Sequence, residues 1–461
     1  MTFPQSFVWG SATASYQIEG GHDADGKGPS VWDMMAHWPG KIVNDDHGDV
    51  ACDHYHRYTE DVQIMKNMGL QAYRFSLSWP RIMPDGTGKV NEAGIAFYDR
   101  LIDELLGAGV QPWITLFHWD YPLALFQQGG WLNAASPEWF ADYTKIVIDR
   151  FSDRVTNWMT LNEPQCFIGL GHHDGMHAPG LQLPVEQVLR AWHHALMAHG
   201  RAVQVIHEHA KQSPTVSWAP VGVAYYPAEE TPENIEAARC ASMNYFEDKS
   251  PVWSNTWGSD PVIKGHYPEA GMKKFGHMMK WFKDSDFEII KQPLDFYGVN
   301  IYQGHPIVAD DQSPKGFRDV KREQGFAQTQ FYWPHDPKSM YWICKTLYDH
   351  YNIPIVITEN GTSMHDWVDE DGTVNDAQRI IFLRDYMREL GRAIDDGADV
   401  RGYFLWSLMD NFEWAEGYRQ RFGLVHVDYQ TLKRTPKASS YWYKQVIESN
   451  GAVLRDAQVV K

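Results

Sequence analysis

The chain has 461 residues, 43% hydrophobic and 22% charged, and its 41 Lys plus Arg against 59 Asp plus Glu leave a formal charge of −18 at pH 7. A surface this acidic repels phosphate backbones and anionic lipid, which sets aside nucleic-acid and membrane partners. Cys52, Cys166, Cys240 and Cys344 form no C-x-x-C pair, hence neither a zinc signature nor a disulfide framework.

In chain order, eight short apolar or aromatic runs bounded by Gly, Pro, Asp or Asn read as strands: 7–15, 72–79, 111–119, 156–162, 215–224, 295–302, 353–358 and 401–408. Helical patterns lie between them. Residues 98–106 place Leu101, Ile102, Leu105 and Leu106 on one face, with Gly107 and Gly109 as the stop. Residues 137–151 are expected to open on Ser136 as N-cap and Pro137 in the first turn, burying Phe140, Tyr143, Val147 and Phe151. Residues 185–209 and 378–394 read the same way. No Gly/Ser linker, charge block or low-complexity tract divides the chain. The expected architecture is α/β, a single (β/α)₈ TIM barrel with loop insertions over residues 1–461. A doubly wound sheet would open on a Gly-rich turn after the first strand, and none is present. The longest uncharged apolar stretch, 213–228, is broken by Pro214, Pro220 and Pro227, unlike a membrane span. The first twenty residues lack the basic and apolar regions of a secretory signal, so a cytoplasmic location is expected and Asn360-Gly361-Thr362 is not expected to carry glycan.

A barrel enzyme works at the C-terminal ends of its strands. Strand four closes on Thr160-Leu161-Asn162-Glu163-Pro164 and strand seven on Ile357-Thr358-Glu359-Asn360-Gly361, so two Glu face each other across the mouth. Opposed carboxyls suit glycoside hydrolysis, one protonated to release the leaving group and one ionised to attack or to activate water. Strand two contributes Arg74, an always-charged group that needs a carboxylate partner inside a barrel. Strand three ends His118-Trp119-Asp120, strand six Asn300-Ile301-Tyr302, and strand eight runs Trp406-Ser407 into Asn411-Phe412-Glu413-Trp414. Amide and imidazole donors beside indole faces form a composition suited to sugars. The 20 Trp, 23 Tyr and 21 Phe supply such faces, although composition alone does not separate stacking from core packing.

These residues carry a resemblance. From Phe7 to about Tyr443 the chain resembles family 1 of the glycoside hydrolases, enzymes of the β-glucosidase type. The matching motifs are Phe7-Val8-Trp9-Gly10 with Tyr16-Gln17-Ile18-Glu19-Gly20, then Tyr73-Arg74-Phe75-Ser76, Thr160-Leu161-Asn162-Glu163-Pro164, Thr358-Glu359-Asn360-Gly361 and Trp406-Ser407-Leu408-Met409-Asp410-Asn411-Phe412-Glu413-Trp414. The resemblance implies a (β/α)₈ barrel and a retaining mechanism with no cofactor, Glu359 as nucleophile and Glu163 as acid/base, their carboxyls about 5–5.5 Å apart. Arg74 and Tyr302 would favour the ionised form of Glu359. Gln17, His118, Trp119, Asn162, Asn300, Tyr302, Trp406, Glu413, Trp414 and Phe422 would bind substrate, and a cis peptide is expected at Trp406-Ser407. The implied reaction removes terminal non-reducing β-D-glucosyl residues from cello-oligosaccharides and aryl or alkyl β-glucosides, with galactosides and fucosides left open. A transglycosylase, a 6-phospho-β-glycosidase and a catalytically dead sugar-binding barrel are the alternatives. Carboxylates in Glu413-Trp414-Ala415-Glu416 would repel a 6-phosphate. Gln165 departs from the family pattern, where many relatives carry Trp, and is expected near the entrance or on the aglycone side, where it would bear on leaving-group preference rather than on catalysis. The segment 244–257 is expected to reach the same rim.

Other signals carry less. Gly21 to Gly28 nearly spells a phosphate loop, but Gly28 replaces the Ser/Thr and no strand precedes it. The 21 His include no H-E-x-x-H, so no metal is expected. No G-x-S-x-G elbow supports an esterase.

Overall fold

The computed structural model describes residues 3–455, so the first two and last six positions of the 1–461 unit lie outside the described residues. Eight parallel strands, β1 Val8–Ala12, β2 Ala72–Ser76, β3 Gln111–Phe117, β4 Asn157–Asn162, β5 Thr215–Ala219, β6 Tyr297–Asn300, β7 Ile355–Asn360 and β8 Val400–Trp406, run in the order 5-4-3-2-1-8-7-6. Chain ends meet inside the barrel, since β1 pairs with β8 from Val8↔Gly402 to Ala12↔Trp406. The remaining seam, between β5 and β6, is held at Val216/Asp295 and at the Val221↔Asn300 bridge. Between these points the Ser217 hydroxyl donates to Phe296 O and accepts from Gly298 N. Gly298 is required there, because a Cβ would stand 2.3 Å from Trp218 O. The strands are buried on both faces, which is why they read as continuous apolar runs rather than alternating ones.

The helices α1 His54–Met68, α2 Glu92–Gly107, α3 Ser136–Phe151, α4 Val185–His209, α5 Asn255–Lys264, α6 Lys338–Tyr351, α7 Ala377–Asp395 and α8 Ala438–Glu448 follow the strands in turn. Helix α4 matches its expected bounds, and α7 exceeds its expectation by one residue at each end. Helix α2 begins six residues before expected. Gly94, which looks like a breaker in sequence, lies in its first turns because a Cβ there would meet Arg81 O at 2.1 Å. The capping expectation for α3 is corrected. Ser136 is already helical and its buried hydroxyl has no partner among the described residues. Asn133 Oδ1 instead accepts from Ala135 N, so the chain enters α3 through an Asn-anchored turn.

The expected insertions are present. Strands Ala224–Pro227, Gly304–Ala309 and Phe317–Asp319 form a small sheet beyond β5 and β6, and Val425–Val427 pairs with Arg434–Pro436 after β8. The phosphate-loop resemblance dissolves, since Lys27 is bound to Asp33 Oδ2 at 2.9 Å and to two carbonyls. Among the described residues no helix is long and apolar enough to cross a membrane.

Candidate active site

At the C-terminal rim of the barrel a cavity of about 370 Å³ is lined by His118, Trp119, Glu163, Tyr302, Glu359, Trp406, Glu413, Trp414 and Phe422, all expected from sequence. Backbone register places them together. Glu359 pairs with Asn300 across β7 and β6, and Ala12, beside Arg74 in β2, pairs with Trp406 in β8. Trp119, Glu163 and Trp414 hold left-handed backbone conformations, with φ of 81°, 45° and 50°. Such strain in bulky residues persists only where surroundings over-determine it, commonly at functional sites. The peptide Trp406-Ser407 is cis, as expected. Gly361 follows Glu359 closely because any Cβ would lie 1.7 Å from Trp406 O.

Arg74 organises the floor. Its Nη1 donates to Glu359 Oε1 at 2.6 Å and to Thr358 O, Nη2 donates to Asn162 Oδ1 at 2.5 Å, and Nε donates to Thr115 Oγ1. Tyr302 OH donates to the other Glu359 oxygen at 2.7 Å. Asn300 Nδ2 donates to Glu163 Oε1 at 2.8 Å and to Asn162 Oδ1 at 3.1 Å. Because Asn162 Oδ1 accepts twice, its Nδ2 must face His118 Nε2 at 3.0 Å, which therefore accepts and leaves the imidazole proton on Nδ1. Burial and the Arg74 charge hold His118 well below the usual histidine range, so it is neutral. Gln17 Nε2 donates to Glu413 Oε2 at 3.2 Å, to Phe412 O and to Asn411 Oδ1. Its buried Oε1 has no partner among the described residues, leaving an acceptor for a ligand hydroxyl.

The two Glu are unlike. Burial first, then the charge of Glu359, pushes Glu163 up to about 8. Burial raises Glu359 as well, and it stays above the usual carboxylate range even though the Arg74 guanidinium and the Tyr302 hydroxyl pull it down. The shared proton therefore resides on Glu163 and the charge on Glu359. Burial, with Glu359 nearby, pushes Glu413 up to about 8 as well. The expected repulsion of a 6-phosphate is thus weaker than the formula of Glu413 suggests. What disfavours phosphate is that, among the described residues, Arg74 on the floor is already paired with Glu359 and Arg419 is held by Glu416.

Several residues were not legible in the motifs. Residues Gln165–Asp174 wind as a π-helix, a form found mostly at functional sites, and carry Cys166 back onto Glu163, Sγ donating to Oε2 at 3.1 Å. Phe331, stacked on Trp333 at 4.4 Å, joins Trp253 and His177 in the outer wall. Trp253 bears out the expectation for 244–257. Gln165 is not itself in the cavity lining but sits against Val221, which is. It is buried, donates to Val221 O and accepts from Val221 N, and so acts on the cavity through Val221. Asp120 is likewise turned away, accepting from Ser15 Oγ.

Glycosyl hydrolase family 1 matches residues 1–452. Beta-glucosidase A of Thermotoga maritima is 44% identical over 455 residues, 97% of this chain and 98% of that protein. The 1,4-beta-D-glucan glucohydrolase of Thermotoga neapolitana is also 44% identical, over 97% of this chain and 99% of its own. Among solved structures, the family 1 β-glucosidase from Thermotoga maritima in complex with deoxynojirimycin superposes with a TM-score of 0.89 at 43% identity, covering 98% of this chain and 99% of that one.

Proposed function

The chain belongs to glycosyl hydrolase family 1, and we propose that it is a retaining β-glucosidase acting on terminal β-D-glucosyl residues of cello-oligosaccharides and of aryl or alkyl glucosides. One observation carries the mechanism: two buried carboxyls share a cavity, one backed by Arg74 and Tyr302 and the other only by the neutral donors Asn300 and Cys166. The first is built to be an anion, the second to hold a proton.

Glu359 attacks the anomeric carbon while Glu163 gives its proton to the glycosidic oxygen, so the C–O bond breaks and a neutral alcohol leaves. A glycosyl ester remains on Glu359. Its formation removes the negative charge that helped raise Glu163, which can then act as base and take a proton from the incoming water. Attack of that water releases β-glucose and restores Glu359. Asn162, held by Arg74 and Asn300, donates toward the sugar 2-hydroxyl, a contact that strengthens in the transition state. Gln17, His118 and Glu413 take the other glycone hydroxyls, with Trp406 and Trp414 as stacking walls. The outer aromatics Trp253, Phe331 and Trp333 meet the leaving group. Four free thiols suit the reducing cytoplasm, where this single catalytic unit would meet diffusing glycosides.

Proton NMR of aryl β-D-glucoside hydrolysis tests this reading. Early β-glucose, lost in Glu359→Ala and replaced by α-glucosyl azide when azide is added, is expected. Early α-glucose would overturn it.

A further inference from the structure

Outside the catalytic cavity, the long segment between β1 and α1 gathers three imidazoles around one carboxylate. His37 Nε2 lies 3.1 Å and His47 Nδ1 3.2 Å from Asp49 Oδ2, and His22 Nε2 lies 3.8 Å from the same oxygen. The ligating atoms of His37, His47 and Asp49 all fall within 4.8 Å of one another. Zinc–ligand bonds of about 2.0–2.1 Å in a tetrahedron give ligand–ligand edges of about 3.3 Å, so two edges already have that length.

The surroundings match as well. His37 Nδ1 is 2.6 Å from Asp33 O, and a carbonyl only accepts, so the proton sits on Nδ1 and Nε2 can present a lone pair. Metal-bound imidazoles are commonly oriented by a carbonyl or carboxylate behind the ring in this way. The second oxygen of Asp49 is buried and has no hydrogen-bond partner among the described residues. An ordinary ion pair would need one imidazolium, not three rings converging on one oxygen.

We propose that His37, His47 and Asp49, with water completing the coordination, bind one zinc ion or a similar divalent transition cation. Imidazole with a single carboxylate selects such ions over calcium or magnesium, which take oxygen ligands. The site is structural. Tyr418 N donates to Asp46 Oδ2 at 3.0 Å and Tyr418 OH to His47 O at 2.8 Å, so the same segment braces the chain just after Glu413 and Trp414. A bound ion fastens that brace without touching the reacting atoms. The sequence hides the site, because its ligands fall at irregular spacings in a loop rather than one helical turn apart.

Calorimetric titration of chelator-treated full-length protein with zinc chloride is the test. One equivalent is expected to bind, with a Tm that climbs with the logarithm of free zinc. His37→Gln and His47→Gln, both at exposed rings, should each weaken binding at least tenfold while leaving zinc-free kcat/KM unchanged. Absence of saturable binding overturns the proposal. Equal affinity in both variants, which would place the ion elsewhere, for instance at Cys240, overturns it too.

Discussion

Two clusters of buried charge sit in this barrel, and they behave in opposite ways. At the rim, among the described residues, the one ion pair made by Glu163, Glu359 and Glu413 is that of Glu359 with Arg74. Behind β7 and β8, Asp366, Asp376 and Asp410 face three cations. Arg379 binds Asp366 at 2.7 Å and Asp376 at 2.5 Å, Lys437 binds Asp366 and Asp410 at 2.5 and 2.6 Å, and Arg421 binds Asp410 at 2.5 Å. Burial raises Asp410 just as it raises Glu163 and Glu413. In the balanced cluster Lys437 and Arg421 more than offset it, and Asp410 lies below the usual carboxylate range. In the deficient cluster Glu163 and Glu413 rise to about 8. Burial alone does not make a reactive acid, whereas a shortage of counter-charge does.

Removing the anion should cost most. Glu359→Ala is expected to lower kcat/KM by roughly 10⁴-fold or more, since no later step can proceed without the nucleophile. Steady-state kinetics on an aryl glucoside checks this, and azide should restore turnover. Glu163→Gln should cost about 10²–10⁴-fold, most for poor leaving groups, and should abolish the fall in activity as pH rises through about 8. A retained alkaline limb would assign that limb to another group.

The balanced cluster should respond in stability instead. Lys437→Met leaves Asp366 and Asp410 short of a partner in the interior, with an expected loss of about 3–5 kcal/mol in denaturant unfolding. The surviving folded enzyme should keep its alkaline limb near 8, because the rim cluster is untouched. The pH dependence of Tm separates the two clusters. The raised acids bind protons in the fold that the unfolded chain releases above about 4.3, so their contribution falls as pH climbs from about 4 to 8. Asp410 is lowered, so its contribution is present above about 3.9 and is lost as pH falls below it. Glu413→Gln should therefore flatten the alkaline decline in Tm and leave the acid decline unchanged, as read by calorimetry across pH 3–9. Smallest is Cys166→Ala. The thiol hydrogen bond favours the ionised form of Glu163, so its loss should move the alkaline limb of kcat/KM upward by a few tenths of a pH unit, with a rate change of about threefold or less.

The contrast also shows what a sequence displays. Glu163, Glu359, Arg74 and Tyr302 were legible because each sits in or just after a strand whose apolar run announces it, and the barrel makes strand ends converge. The family motifs fall at these same positions. Phe331, Trp333, His37, His47 and Asp49 stand in loops and Cys166 in the π-helix after β4, where the fold alone decides who meets whom. The balanced ion cluster was invisible for the same reason, Asp366 and Lys437 being 71 residues apart. Ser136 misled because Ser before Pro resembles an N-cap, while Asn133 made the turn. Gln165 meets the cavity only through Val221: a departure from a family pattern says that something differs, not where the new side chain points.

The central claim is the location of one proton. Carbon-13 titration of glutamate-labelled enzyme, with Glu163 assigned by its disappearance in Glu163→Gln, reads it directly. In the free enzyme the Glu163 carboxyl should titrate near 8 and above Glu359, and it should titrate lower once Glu359 is esterified by a 2-deoxy-2-fluoroglucosyl group. A Glu163 already ionised at pH 6, or one that does not move on trapping, would contradict the account.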